Sequence, residues 1–161
     1  MAASTTKKAV FHRFDREPLA GYVNPLTYLQ PAGVELLSAQ GNISAIPYEE
    51  IKSISFVRDF QSGEEAQRLV FHTRPKTAGL WVSLQFRDGE IMEGIMSNNL
   101  LQLDRYGFTV IPPDPYSNNQ RVFVPRAALR AVEVLGVVGS PLRKRRAKAA
   151  PKEQIGLFDE P

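Results

Sequence analysis

The side chains best suited to acid–base or metal chemistry are the two histidines, His12 and His72, and no spacing joins them. Histidine metal sites repeat their ligands a few residues apart, and no H-x-x-x-H or D-x-D-x-D-G pattern occurs. Neither histidine has a Ser or Cys partner in a nucleophile–base pattern, and no G-x-S-x-G turn is present. The chain has no Cys, which excludes disulfide frameworks and thiolate zinc or iron–sulfur sites. Glu49-Glu50 and Glu64-Glu65 pair only by adjacency, and consecutive side chains seldom face one pocket, so they read as solvated faces. The run Gly89-Glu-Ile-Met-Glu-Gly94 has the glycine spacing of a phosphate-binding loop without the Lys-Ser/Thr that must follow, and it reads as strand. No catalytic residue, cofactor or metal ligand is assigned, and the expectation is a chain that is not an enzyme.

Two segments carry binding chemistry instead, and both lie after residue 138. Residues 1–138 hold 14 basic and 14 acidic residues, so the whole excess of +3 sits in 139–161. There Arg143, Lys144, Arg145, Arg146 and Lys148 form a basic cluster. Five phosphate contacts give a salt slope of about −4.5, a weak and sequence-blind attraction to nucleic acid. Beyond the cluster stands an apolar island, Gln154-Ile-Gly-Leu-Phe158, with no local core to join. It either docks on its own chain or on another protein. Gln, an aliphatic, then Leu-Phe resembles the short peptide by which bacterial replication and repair proteins bind the sliding clamp. The resemblance implies polar contacts from Gln154, a hydrophobic pocket filled by Leu157 and Phe158, and a secondary apolar contact from Ile155. Gly156 stands where that family often has Ser or Asp.

The elements that would position these segments come from a chain of 161 residues, enough for one ordinary domain or two very small ones. Residues 1–8 lack the apolar core of a signal peptide, and no apolar run approaches the roughly 20 residues of a membrane helix. A cytoplasmic protein is expected. The body contains an internal repeat. Ile46-Pro-Tyr-Glu-Glu-Ile-Lys-Ser-Ile-Ser-Phe-Val57 aligns without gaps on Val124-Pro-Arg-Ala-Ala-Leu-Arg-Ala-Val-Glu-Val-Leu135. Upstream, Phe14 to Gly21 matches Phe86 to Gly94 with one insertion, and Gly33-Val-Glu-Leu-Leu37 matches Gly107-Phe-Thr-Val-Ile111.

Each copy reads as five short strands. Residues 8–14 and 80–86 alternate apolar and polar, the period of a half-buried strand. Asp88-Gly89 marks a hairpin, while Gly21 and Gly94 predict a bend or bulge in the next strand. The segments at Gly33 and Gly107 supply a third strand, and a fourth ends at Ile46 or Val124. Pro47 and Pro125 then preset one helical turn, followed by a last strand over 52–57 or 130–135. This order resembles the SH3-like and Sm-like small barrels. Sm-like barrels commonly bind RNA as rings, but their base-stacking residues do not stand out here. PilZ domains need R-x-x-x-R, whereas Arg13 is followed by Glu17. The strings Gly79-Leu-Trp-Val, Ser97-Asn-Asn-Leu-Leu-Gln-Leu-Asp and Asn119-Gln-Arg-Val-Phe-Val-Pro-Arg resemble an uncharacterised bacterial protein family with no assigned reaction.

The expected organisation is a disordered start (1–7), one small barrel (8–60), a linker (61–78) contributing a short strand over 68–72, a second barrel (79–138) and a basic disordered tail (139–161). Trp81 and the phenylalanines are expected in the core. The proline-stiffened hairpin 112–120 is a candidate contact loop, and Asn98-Asn99 and Asn118-Asn119 read as local turn formers. The functional expectation is a binding or adaptor protein acting through barrel surfaces and the terminal peptide. The alternative is a DNA- or RNA-associated factor recruited to the sliding clamp. No membrane partner is expected.

Overall fold

Alternation decides the strands. In 7–13 only Ala9 and Phe11 are buried, and in 79–86 the apolar Val82, Leu84 and Phe86 are, with Gly79 and Ser83 buried beside them, so each run presents a face to a core. The computed structural model describes residues 5–60, 69–114 and 118–139. It is mainly β, with eleven strands: β1 Lys7–Arg13, β2 Leu19–Val23, β3 Leu29–Gln30, β4 Gly33–Leu37, β5 Ile43–Ile46, β6 Ile51–Val57, β7 Gly79–Phe86, β8 Ile91–Met96, β9 Gly107–Val110, β10 Asn119–Pro125 and β11 Leu129–Val138. Among the described residues the only helical elements are 3-10 turns at Tyr48–Glu50, Leu100–Gln102 and Arg126–Ala128. Pro47 and Pro125, at φ −58° and −61°, open the first and third of these, as the sequence predicts.

Strand pairing repeats residue for residue. Ala9 lies opposite Gly21 and Phe56, and Val82 lies opposite Gly94 and Val134. Val34 faces Ile46 as Phe108 faces Val124. Both copies also break register at one place: Lys52 is skipped between Ser53 and Ile51, and Arg130 between Ala131 and Leu129. This register puts Arg13, not Phe14, in the position of Phe86, because Arg13 pairs Ile51 and Phe86 pairs Leu129.

The sheet does not stop at the boundary between the copies. One eight-stranded sheet runs β3-β4-β2-β1-β6-β10-β9, with β5 on β4, and a three-stranded sheet runs β11-β7-β8. An antiparallel bridge between Ile95 and Ile111 joins the two. Strand β6 of the first copy therefore pairs with β10 of the second, Ile54 opposite Phe123 and Ser55 opposite Val122. Two apolar clusters result. One gathers Phe11, Val34, Ile51 and Ile54 with Phe123 from the second copy. The other gathers Val82, Leu84, Phe86 and Val124, with Phe14 from the first copy packed against it.

Several details differ from the sequence reading. No register shift falls at Gly21 or Gly94. These glycines instead let neighbouring strands close in, for a Cβ would lie 2.5 Å from Leu36 Cδ1 at Gly21 and 2.8 Å from Val110 Cβ at Gly94. Residues 69–72 are not strand. Leu69 O accepts from Glu93 N–H at 2.7 Å, Phe71 packs edge-on against Trp81, and Arg74 donates to Val137 O at 3.2 Å. Trp81 is consequently half-buried outside both core clusters, with its indole N–H donating to Glu93 Oε1 at 2.8 Å. Asn118 acts over long range, its Oδ1 accepting from the backbone of Arg58 and Asp59.

Candidate functional site

The residue that β1 leaves unpaired at its register shift is Lys52, and a side chain freed from the ladder can reach across to the next element. Its Nζ meets Asp88 Oδ2 at 2.7 Å and Glu90 Oε1 at 3.1 Å, both on the β7–β8 turn of the other copy. The ammonium also lies 5.1 Å from the centre of the Phe86 ring. Alongside, Arg87 stacks its guanidinium 3.9 Å from the centre of Phe14 and donates to Glu49 O at 2.7 Å. First-copy and second-copy residues thus interlock through charge as well as through the sheet.

A cleft of about 250 Å³ opens beside this clasp, lined by His12, Arg13, Lys52, Ser53, Glu90 and Met92 among others. Burial, with Lys52 adding to it against the opposing pull of Glu90, lowers the His12 pKa below its ordinary value. His12 is therefore a neutral imidazole at neutral pH. The Asp88 and Glu90 carboxylates more than offset the burial of Lys52 and raise its pKa, while Lys52 lowers that of Asp88. Arg13 donates to Glu17 O at 3.0 and 2.6 Å. Each cation at the cleft already has a protein acceptor, Lys52 holding the two copies together, which leaves His12, Ser53 and Ser55 as its neutral hydrogen-bonding groups. Among the described residues no three of His, Asp and Glu gather as a metal site, and no helix is long and apolar enough to cross a membrane.

The other chemistry lies on the surface. The turn Leu100–Gln102 holds Leu100 and Leu101 out at 68% and 94% exposure. Its backbone is fixed from within: Asn99 Oδ1 accepts from Leu101 N–H at 3.1 Å, and Ser97 Oγ donates to Gln102 Oε1 at 2.8 Å. Strand β11 has no neighbour but β7 among the described residues and exposes Val132, Val134, Leu135 and Val137. The anticipated binding residues Gln154, Ile155, Leu157 and Phe158 and the basic residues Arg143, Lys144, Arg145, Arg146 and Lys148 lie outside the described residues. So does the middle of the 112–120 hairpin, residues 115–117.

With this geometry in hand, comparison with known proteins gives one assignment. A family model described as a family of unknown function, DUF6982, matches residues 5–136. The chain belongs to that family. The match runs from just before β1 into β11 and thus takes in both copies of the repeat and the clasp between them. No curated protein matches the chain, and no solved structure matches it.

Neither the cleft nor the Leu100–Leu101 turn emerges from motif reading. The cleft is assembled across the two copies from residues that are ordinary in isolation. A signal for it does exist in the repeat: Lys52 aligns with Arg130, and Asp88-Gly-Glu90 aligns with Asp15-Arg-Glu17, so like charges recur at like positions.

Proposed function

We propose that this chain is a non-enzymatic binding or adaptor protein, built from two tandem SH3- and Sm-like small barrels that arose by internal duplication. The observation that carries the reading is the 3-10 turn presenting Leu100 and Leu101 to solvent on a backbone braced by Asn99, Ser97 and Gln102. Burying both side chains on a partner yields roughly 3–6 kcal/mol, and a pre-braced turn spends little of it on ordering. The repeated pairing registers support the duplication. The engaged cations of the cleft favour a structural rather than a catalytic use of its charges. The test is affinity capture with the full chain, with Leu100→Ser/Leu101→Ser, and with a chain lacking 139–161. A partner retained by the full chain and lost from either variant is expected; three identical profiles refute the adaptor reading.

A second reading rests on Gln154-Ile-Gly-Leu-Phe158 and the basic run before it: a DNA- or RNA-associated factor recruited to the sliding clamp. A peptide spanning 152–161 titrated against a purified bacterial clamp should bind in the micromolar range, near −8 kcal/mol. Leu157→Ala and Phe158→Ala peptides should lose that signal. If the three peptides give the same titration, the terminal segment is not a clamp ligand.

A further inference from the structure

We propose that copies of this chain associate head to tail, the β5 edge of one molecule adding to the β11 edge of the next and repeating between molecules the β6–β10 pairing made within each. The inference follows from what the repeat leaves unused. Inside the chain, the fifth strand of the first copy, β6, pairs with the fourth strand of the second, β10. The corresponding fourth strand of the first copy is β5 and the fifth of the second is β11. Among the described residues, β5 pairs only with β4 and β11 only with β7. One end of the strand series thus offers the donor half of this contact and the other end the acceptor half.

Side chains at the aligned positions agree. Ile54 and Val57, fully or nearly buried at the internal junction, correspond to Val132 and Leu135, which are 37% and 45% exposed. Phe56, half-buried, corresponds to Val134 at 58%. On the opposing edge Ile43, at 70%, occupies the place of Arg121. Transferring the internal register sets Ile43 opposite Val134, Ala45 opposite Val132 and Ser44 opposite Glu133, which covers the exposed aliphatics Ile43, Val134 and Val132. A long, apolar, unprotected edge strand is costly to leave bare, and pairing removes that cost.

Charge agrees independently. The internal junction is clasped by Lys52, the skipped residue of β6, against Asp88 and Glu90. Arg130 is the skipped residue of β11, and Asp15 and Glu17 occupy the matching places on the β1–β2 turn. All three are exposed. The molecule therefore carries a second clasp whose cation and carboxylates sit at opposite ends of the chain, where only another copy can bring them together. Such a contact is heterologous, and its repetition builds a ring or a filament.

The test is the mass of the full chain by light scattering and sedimentation over a concentration series. The wild type should assemble beyond a monomer. Val134→Lys and Ile43→Lys change exposed positions, so circular dichroism should match the wild type, and each should weaken association by about tenfold or more. Mixed in equal amounts, the two variants should form a dimer that grows no further, since each retains the edge the other lacks. Arg130→Glu should weaken assembly, and adding Asp15→Lys and Glu17→Lys in the same chain should restore it. The proposal is overturned by a wild type that stays monomeric, by Ile43→Lys assembling as well as the wild type (which would indicate β11 pairing with itself), or by a mixture that remains monomeric.

Discussion

Phe123 belongs by sequence to the second copy of the repeat and by packing to the core of the first, and replacing it asks whether the two copies unfold as one. Its side chain is fully buried and meets Tyr28 edge-on with ring centres 5.9 Å apart. Phe123→Ala should cost about 3–5 kcal/mol through lost transfer energy and a residual cavity, plus about 0.5–1.5 from the aromatic pair. Against a total stability of about 5–15 kcal/mol, that loss is a large fraction. With a urea slope near 2 kcal/mol/M, the midpoint should fall by roughly 2–3 M. Trp81, the single tryptophan, reports the second copy, and far-ultraviolet circular dichroism reports the whole sheet. Measured in the Val134→Lys background so that association does not shift the midpoint, both probes should move together by the full amount. A fluorescence transition that stays in place while the dichroism moves would refute the reasoning, because it would mean the Phe123 pocket and the β11-β7-β8 sheet melt independently.

Other expectations follow from individual groups. His12 has a folded-state pKa below its unfolded value, so the unfolded chain binds its proton more readily; its contribution is complete above about pH 6.5 and is lost as the pH falls toward the folded value. The urea midpoint should therefore drop between pH 7 and 5, and His12→Gln should flatten that slope; an unchanged slope would put its origin elsewhere. Burial pushes the Tyr48 phenol, which donates to Gln30 O at 2.7 Å, up to about 12, with Tyr106 adding. Burial holds the Tyr28 phenol up as well, so a spectrophotometric titration should find two tyrosines fewer ionising near pH 10 in the wild type than full exposure would give, and Tyr48→Phe should cost about 1 kcal/mol. Gly94→Ala would press a methyl against Val110 and should destabilise by about 1–3 kcal/mol, read as a fall in melting temperature.

Elements fixed by local chemistry were legible in the sequence. The prolines at 47 and 125, the alternation of 8–14 and 80–86, and the Asp88-Gly89 hairpin act within a few residues of themselves, and the structure places turns and strands there. Features that depend on a distant partner were not legible. Asn118 reads as a turn residue until Arg58 and Asp59 are brought beside it. The last strand, expected over 130–135, continues past Gly136 to Val138 with a register shift between Val134 and Gly136. Trp81 has the size of a core residue, but its place on β7 turns it toward Phe71 and Glu93 rather than inward. The cleft needed the whole fold, since Lys52, His12 and Glu90 are set together only when β6 and the β7–β8 turn meet.

The apolar run of β11 illustrates the most instructive mismatch. Residues 129–138 are hydrophobic on both faces, a pattern that ordinarily marks a strand buried between neighbours, but the fold sets the strand at an edge. The internal junction shows what such a run is suited to, and it also ranks the two contacts. Within the chain, Phe123 fills a core and Tyr48 stacks on Tyr106 with centres 4.8 Å apart. At the open ends Ala45 stands for Phe123, and Arg126 and Ala32 stand for the two tyrosines, so the aromatic content is gone while the aliphatic edge and the charge clasp remain. The external contact is therefore the weaker version of the internal one. Its strength leans on Arg130, Asp15 and Glu17, which makes it sensitive to salt in a way that the aromatic-rich internal junction is not.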